Sequence, residues 1–383
     1  MGHSTTDLLD STTGLLLRMV AIDSVNPSLV SGGAGEREIA AYVADWAGKA
    51  GLEVEVLEAT AGRPSVVVRA RGTGGGRSLL LCGHYDTVTV EGMRDPGTRV
   101  EGDRVYGRGA YDMKAGLAAA LIACREAAGR GLAGDVIVAA VADEEHASLG
   151  VQEVLATVRA DAAIVTEPTE LELVVAHRGF VWSEVEVTGR AAHGSRAHLG
   201  VDAIVKTGPI LTALGALDAE LGALRHSLLG RGSVHASVIR AGEELSSYPA
   251  HCILGLERRT LPGESAADVE AELASLLATC RQADVELRVE ARTLLVREPF
   301  EVPQDAVIVE TVGAAAAEVL GRPPVIGGAS YWADAAFIAA AGIPTVMFGP
   351  AGEGAHAAEE WVSMSSTETV ARTLLAVAAR VCA

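Results

Sequence analysis

The chain divides by the rhythm of its apolar positions. Ala- and Leu-rich stretches with helical spacing run from about Thr5 to Ala21 and from about Glu36 to Ala50, separated by the Asn26-Pro27 turn and the Gly32–Gly35 loop. Short β-branched or aliphatic runs at Val54–Leu57, Ser65–Ala70 and Ser78–Cys82 predict strands, the last two joined by the Gly72–Gly76 turn in an opening meander. From Asp112 the pattern alternates: a helix to about Arg130, an apolar strand Asp135–Ala142, a helix Leu149–Arg159 and an apolar strand Ala162–Thr166. Strands without a polar face, interleaved with helices, predict an α/β layer around a buried, mainly parallel sheet.

Near Gly179 the rhythm changes. Phe180–Thr188 alternates apolar and polar residues, as a sheet with one wet face requires. A helix Val201–Leu221, strands Ser233–Ile239 and Cys252–Arg258, a helix Ala266–Gln282 and a strand Val285–Leu295 follow, a β-α-β-β-α-β order that forms a compact two-layer unit. After Pro299 the first pattern resumes, with helices Asp305–Leu320 and Asp334–Ala341 and a strand Thr345–Phe348. The expected organisation is one domain from residues 1–178 and 296–383, interrupted by a second at 179–295.

Composition narrows the function. The 383 residues carry 31 Lys plus Arg against 50 Asp plus Glu, a net charge of −19, and such a field repels phosphate backbones, so no nucleic-acid partner is expected. The apolar runs fall short of the ~20 residues that cross a bilayer. Residues 1–10 lack the layout of a secretory signal, and the Gly2/Thr6 match to an acylation pattern is too short to weigh. Five cysteines without C-x-x-C spacing read as reduced core thiols, and a cytoplasmic protein is expected.

The candidate chemistry sits at strand ends. His84 and Asp86 follow one apolar strand, Glu144 and Glu145 another and Glu167 a third, and His356 lies in the loop after a fourth. In a parallel sheet these loops gather along the carboxyl edge, where such folds place their sites. Asp112 lies in the glycine-rich run Tyr106–Gly116 and taken alone reads as a helix cap. Singly, His84 is also a core histidine, Glu167 a turn cap and His356 a surface residue; together they favour metal ligation. Asp143-Glu144-Glu145 directly after an apolar strand would repel one another unless a cation neutralises them or a proton is retained. Two histidines and three carboxylates suit two zinc-like ions bridged by one acid, with cobalt or manganese fitting similar donors. One of the adjacent glutamates then remains free as a base.

Five motifs carry a resemblance: Gly83-His84-Tyr85-Asp86-Thr87-Val88, Gly107-Arg108-Gly109-Ala110-Tyr111-Asp112-Met113-Lys114, Asp143-Glu144-Glu145, Thr166-Glu167-Pro168, and Phe348-Gly349-Pro350 leading to His356. In this order, over nearly the whole chain, they resemble the acetylornithine deacetylase, succinyl-diaminopimelate desuccinylase and carboxypeptidase G family of di-zinc metallohydrolases. The resemblance implies a zinc-peptidase-like catalytic domain with an inserted lid and dimerisation domain. It implies that His84 and Glu145 hold one ion, Glu167 and His356 the other, with Asp112 bridging and Asp86 holding the His84 ring. Glu144 would be the general base, shuttling a proton from the attacking water to the leaving amine.

The resemblance further implies that His193, in Gly189-Arg190-Ala191-Ala192-His193-Gly194-Ser195, stabilises the oxyanion from the partner subunit of a homodimer; His198 is a lesser competitor. Arg259 would fork a substrate carboxylate, with Arg178 and Ser330 as further substrate-binding candidates and Arg258 on the opposite face in a surface ion pair. Ser246 stands where many relatives have asparagine, Ala336 where many have arginine, and Ala115 where glycine is usual. The expected activity is hydrolysis of an N-acyl amino acid; alternatives are a carboxypeptidase G-like or dipeptidase-like exopeptidase, or a catalytically silent binding protein.

Overall fold

The computed structural model describes residues 11–89, 97–223 and 225–383. The start of the expected Thr5–Ala21 helix and the Gly2/Thr6 pattern lie outside these. Contacts divide the chain into two units, the first comprising residues up to Val175, Val302–Gly327 and Ala333–Ala383, the second Ala176–Glu301 and Gly328–Trp332.

The first unit is built on a central sheet whose strands lie in the order Glu53–Leu57, Ser65–Ala70, Val136–Val141, Leu79–His84, Ala162–Val165, Thr345–Met347 and Leu173–His177. The four strands from Val136–Val141 to Thr345–Met347 run parallel, and antiparallel strands close both sides. Leu79–His84, Val136–Val141 and Ala162–Val165 are buried at every position, as their unbroken apolar runs require.

The opening strands do not form the expected meander. Val136–Val141 inserts between Ser65–Ala70 and Leu79–His84, because an all-apolar strand is accommodated only inside the sheet. The Gly72–Gly76 connection instead passes against Ala133 and Gly134, where a Cβ on Gly72 would sit 2.3 Å from the Ala133 carbonyl. From Leu79–His84 the chain crosses to one neighbour, Val136–Val141, and from there to the other, Ala162–Val165. The carboxyl end of Leu79–His84 is therefore the point where the winding reverses, the usual seat of a site in such sheets.

Two features beyond the expected elements complete the unit. The helix Met364–Val381, capped by Ser363, packs on Ala115–Ala128 and Val307–Leu320. A small sheet joins Arg99–Glu101, Arg104–Tyr106, Trp361–Ser363 and Gly352–Glu353. The strand Arg104–Tyr106 leads into the Gly107–Lys114 loop, and the hairpin formed by Gly352–Glu353 and Trp361–Ser363 carries His356.

The second unit has the β-α-β-β-α-β order expected, an antiparallel sheet of Ser233–Ala241, His251–Thr260, Gly179–Thr188 and Arg288–Arg297 in that spatial order. Along Gly179–Thr188 the buried residues alternate, and Val185 and Val187 join Ile210, Leu214, Leu254 and Leu277 in a core beneath the helices Ala203–Leu221 and Ala266–Ala283. Asp202 caps the first helix, and Ser265 with Asp268 forms a capping box on the second. All five cysteines are buried and unpaired. Among the described residues no helix is long and apolar enough to cross a membrane.

Candidate metal centre and active site

The central sheet delivers its polar residues where its strands end. His84 is the last residue of Leu79–His84, Glu144 and Glu145 lie just past Val136–Val141, and Glu167 lies two residues past Ala162–Val165. Asp112 arrives from the small sheet. It does not cap the next helix, which starts at Ala115 with Lys114 at the cap; Asp112 itself has φ −114° and ψ 96°, outside helical geometry. Two glycines allow the layers to close on Glu167: a Cβ on Gly116 would meet the Thr166 carbonyl at 1.8 Å, and one on Gly349 would meet the Glu167 carbonyl at 1.9 Å.

The donors converge on Asp112. His84 Nε2 lies 3.2 Å from Asp112 Oδ1, and His356 Nε2 lies 3.5 Å from Asp112 Oδ2. One carboxylate thus faces both imidazoles. Around it, donor atoms of His84, Asp112 and Glu167 lie within 4.8 Å of one another, and so do those of Asp112, Glu145 and His356. This corrects the pairing implied by the resemblance, which set His84 with Glu145 and Glu167 with His356. Strand register supplies the reason: Cys82 pairs with Val165 on the neighbouring parallel strand, so two residues further His84 ends its strand level with Glu167, just past the end of the other. Glu145 instead reaches His356, at 3.0 Å. Glu144 belongs to neither triad, standing 3.9 Å from His84 Nε2.

The electrostatics suit cations. Burial raises the Glu144, Glu145 and Glu167 carboxyls above the ordinary range, reinforced by repulsion from neighbouring acids and only partly offset by the imidazoles. Burial disfavours charged His84, yet the Asp112 hydrogen bond and the charges of Glu167, Glu144 and Asp86 win, raising it well above 6.5. His356 is raised chiefly by Glu145. Asp112 moves the other way: burial opposes its charge, but the His84 hydrogen bond and the charges of His84, His356 and Arg108 outweigh it. Four carboxylates face two imidazoles, a formal deficit that two divalent cations would balance. Imidazole nitrogen and carboxylate oxygen are the donors that zinc-like ions take, so the residues fit such a pair.

Behind these side chains lies a buried polar network that spacing did not reveal. Asp86 was expected to hold the His84 ring. The ring's Nδ1 lies 3.0 Å from the Asp86 backbone carbonyl and 3.6 Å from its carboxylate. That carboxylate instead accepts the Glu144 and Glu145 amides at 3.1 and 3.2 Å and Asn26 Nδ2 at 2.8 Å. Asn26 also donates to Asp143, which Arg63 contacts at 2.7 Å while pairing with Glu36 at 2.6 Å. Asp143, at φ 67°, thus turns into the core, where Asn26 and Arg63 both hold its Oδ1. The signals were weak: Asn26-Pro27 reads as a turn, and Arg63 stands in a loop without periodicity.

The other candidates belong to the second unit. His193 is exposed on the short strand Ala192–His193, its Nδ1 2.8 Å from Ser195 Oγ. His198 is exposed in the turn Ala197–Leu199. Arg259 pairs with Glu257 at 2.7 Å and lies over the Phe180 ring at 5.1 Å. Arg178 donates to the Leu229 carbonyl, and Ser330 is exposed. Arg258 is not the surface ion pair expected: it is 3 % exposed, held between Glu264 at 2.6 Å and Glu272 at 3.1 Å, because its face of the strand turns toward the helix Ala266–Ala283. Ser246 meets Glu244 at 2.8 Å, and Ala336 lies buried in the helix Ala335–Ala340 of the first unit.

A sheet ending in two histidine–carboxylate triads that share an aspartate is the framework of a metal-dependent amide hydrolase. The chain belongs to Peptidase family M20/M25/M40, whose profile it matches over residues 80–380. It is 28% identical over 374 residues to an acetylornithine deacetylase of Photorhabdus laumondii, covering 92% of each chain. Among solved structures its fold matches aminopeptidase PepT from Bacillus cereus with a TM-score of 0.80 at 20% identity, covering 99% of both chains. It also matches the Bacillus subtilis YXEP protein, a dinuclear metal-binding peptidase of the M20 family, with a TM-score of 0.76 at 15% identity over 99% of this chain and 98% of the other.

Proposed function

We propose that the protein hydrolyses the amide bond of an N-acyl amino acid, with two divalent ions, zinc by the donor set, at the Asp112 centre. His84, Asp112 and Glu167 hold one ion and Asp112, Glu145 and His356 the other. When bound, the ions supply Lewis acidity and lower the pKa of the attacking water. Glu144 accepts that water's proton and passes it to the nitrogen of the breaking C–N bond, so the products are a carboxylate and a free amine. The backbone amides of Glu144 and Glu145, held by Asp86, keep the base next to the triads without making it a ligand. The observation that carries this reading is the carboxylate left over: both triads are complete without Glu144.

Likeness to acetylornithine deacetylases over 92% of the chain supports the deacylase reading. An exopeptidase cleaving a dipeptide or a C-terminal residue is the second reading, since both reactions break one amide beside a carboxylate. We assign residues 1–178 and 296–383 to a catalytic domain and 179–295 to an inserted lid and dimerisation domain of a cytoplasmic homodimer. In that dimer His193 acts on the oxyanion from the partner subunit, and Arg259, Arg178 and Ser330 bind substrate. Metal quantification coupled to a panel of N-acetyl and N-succinyl amino acids, dipeptides and folyl-glutamate-type compounds tests the proposal. Two ions per chain and preferred turnover of acylated amino acids are expected; two ions with no turnover on any compound favour the silent binding protein.

A further inference from the structure

Asp112 serves both triads, so the loop that presents it must be held more firmly than its glycines would hold themselves. Gly107 and Gly109 both have positive φ, 150° and 75°, and such a loop gains its stiffness from partners outside it. Those partners converge on one side chain. The Glu360 carboxylate accepts the backbone amides of Gly109 at 2.9 Å, Tyr111 at 2.8 Å and Asp112 at 3.0 Å. It also takes Arg108 Nη1 at 2.7 Å, and the Glu360 carbonyl accepts the Gly107 amide at 3.2 Å. Glu360 is itself buried, its side chain 1 % exposed. Arg108 donates onward to the carbonyl of Ala357, the residue after His356.

From this geometry we infer that Glu360 is a positioning residue for the dinuclear centre, fixing the backbone of Asp112 and tying the Asp112 loop to the His356 hairpin. The inference rests on the metal-centre reading above. An ionised carboxylate is the acceptor that can serve four donors at once, and hydrogen bonds to a charged acceptor are about twice as strong as neutral ones. Glutamine keeps the size but turns one oxygen into a donor facing donors. Aspartate keeps the charge but falls a methylene short. Either change frees the Asp112 backbone, so the shared carboxylate no longer sits between the two imidazoles with one geometry.

The test compares Glu360→Gln and Glu360→Asp with wild type and with Glu359→Gln, a surface control whose wild-type side chain pairs with Arg99. Metal-free protein is titrated with cobalt(II) chloride, reading affinity by chelator competition and geometry from the visible absorption of the bound cobalt. Losing a residue that orients metal ligands typically costs ~10–100-fold in affinity or activity. We expect a loss of that size in both Glu360 variants, an altered cobalt spectrum, and a fall in kcat at unchanged KM, with cooperative unfolding retained. Folded variants that bind cobalt as wild type does, with the same spectrum, would overturn the role. Failure of both to fold would overturn it too, because Glu360 would then be a structural member of the core. A wild type that binds no divalent ion would instead sink the metal-centre reading itself.

Discussion

In the central sheet, Leu79–His84 and Val136–Val141 are buried at every residue, whereas Gly179–Thr188 and His251–Thr260 of the second unit bury alternate residues only. The consequence is a different place for polar groups. A strand covered on both faces holds charge only at its end, so charge gathers there in a crowd that needs partners of its own. A strand with one wet face spreads charge along its length, as Arg292 with Glu184 does, and solvent screens the pair. Chemistry therefore concentrates at the edge of the first sheet. The same residue types on the second mostly form ordinary surface pairs.

Substitutions sharpen that contrast in order of expected effect. Glu144→Ala should lower kcat by ~10²–10⁴-fold, the usual contribution of a general base, with metal content unchanged. Retained turnover would remove Glu144 from the reaction. Next come the two glutamates of the triads. Glu167→Ala should release the ion shared with His84, and Glu145→Ala the ion shared with His356, each leaving about one ion per chain by elemental analysis. Loss of the ion beside His356 in Glu167→Ala and of the ion beside His84 in Glu145→Ala, read by anomalous diffraction, would restore the pairing that the resemblance implied.

Arg63→Met strips the cation from Glu36 and Asp143, both fully buried, and should cost about 3–5 kcal/mol in denaturant unfolding, the usual loss when a buried ion pair is broken. Arg292→Ala on the wet sheet should leave the unfolding midpoint unchanged within error. Comparable losses at the two arginines would erase the distinction between the regions.

Asp135 gives a smaller effect than Arg63. Burial opposes its charge, but the Gly72 amide and Arg69 prevail and hold its carboxyl below 3.8. Its share of stability is therefore present above 3.8 and lost as pH falls through the lower, folded-state value. Asp135→Asn should lower the urea midpoint at about pH 7 and close much of the gap to wild type near pH 2.

Much of the fold was legible because period and burial coincide. Alternation in Phe180–Thr188 and unbroken apolar runs in Val136–Val141 each admit one environment. Strand order was not legible, since nothing local tells Ser65–Ala70 that a strand from beyond residue 130 will lie beside it. The same limit shaped the site. His84, Asp112, Glu145, Glu167 and His356 stood out as acids and histidines at strand ends or in a glycine-rich loop, but their division into triads depends on register. Asn26, Arg63 and Glu360 stayed hidden because each acts through long-range hydrogen bonds from a segment that reads locally as turn, loop or hairpin.

The central claim is that one aspartate serves two metal sites. Anomalous diffraction from crystals of the zinc-loaded protein, recorded on both sides of the zinc absorption edge, tests it most directly. The account predicts two peaks flanking the Asp112 carboxylate, one among His84, Asp112 and Glu167 and the other among Asp112, Glu145 and His356. A single peak, or a pair that leaves Asp112 uncoordinated, would contradict it.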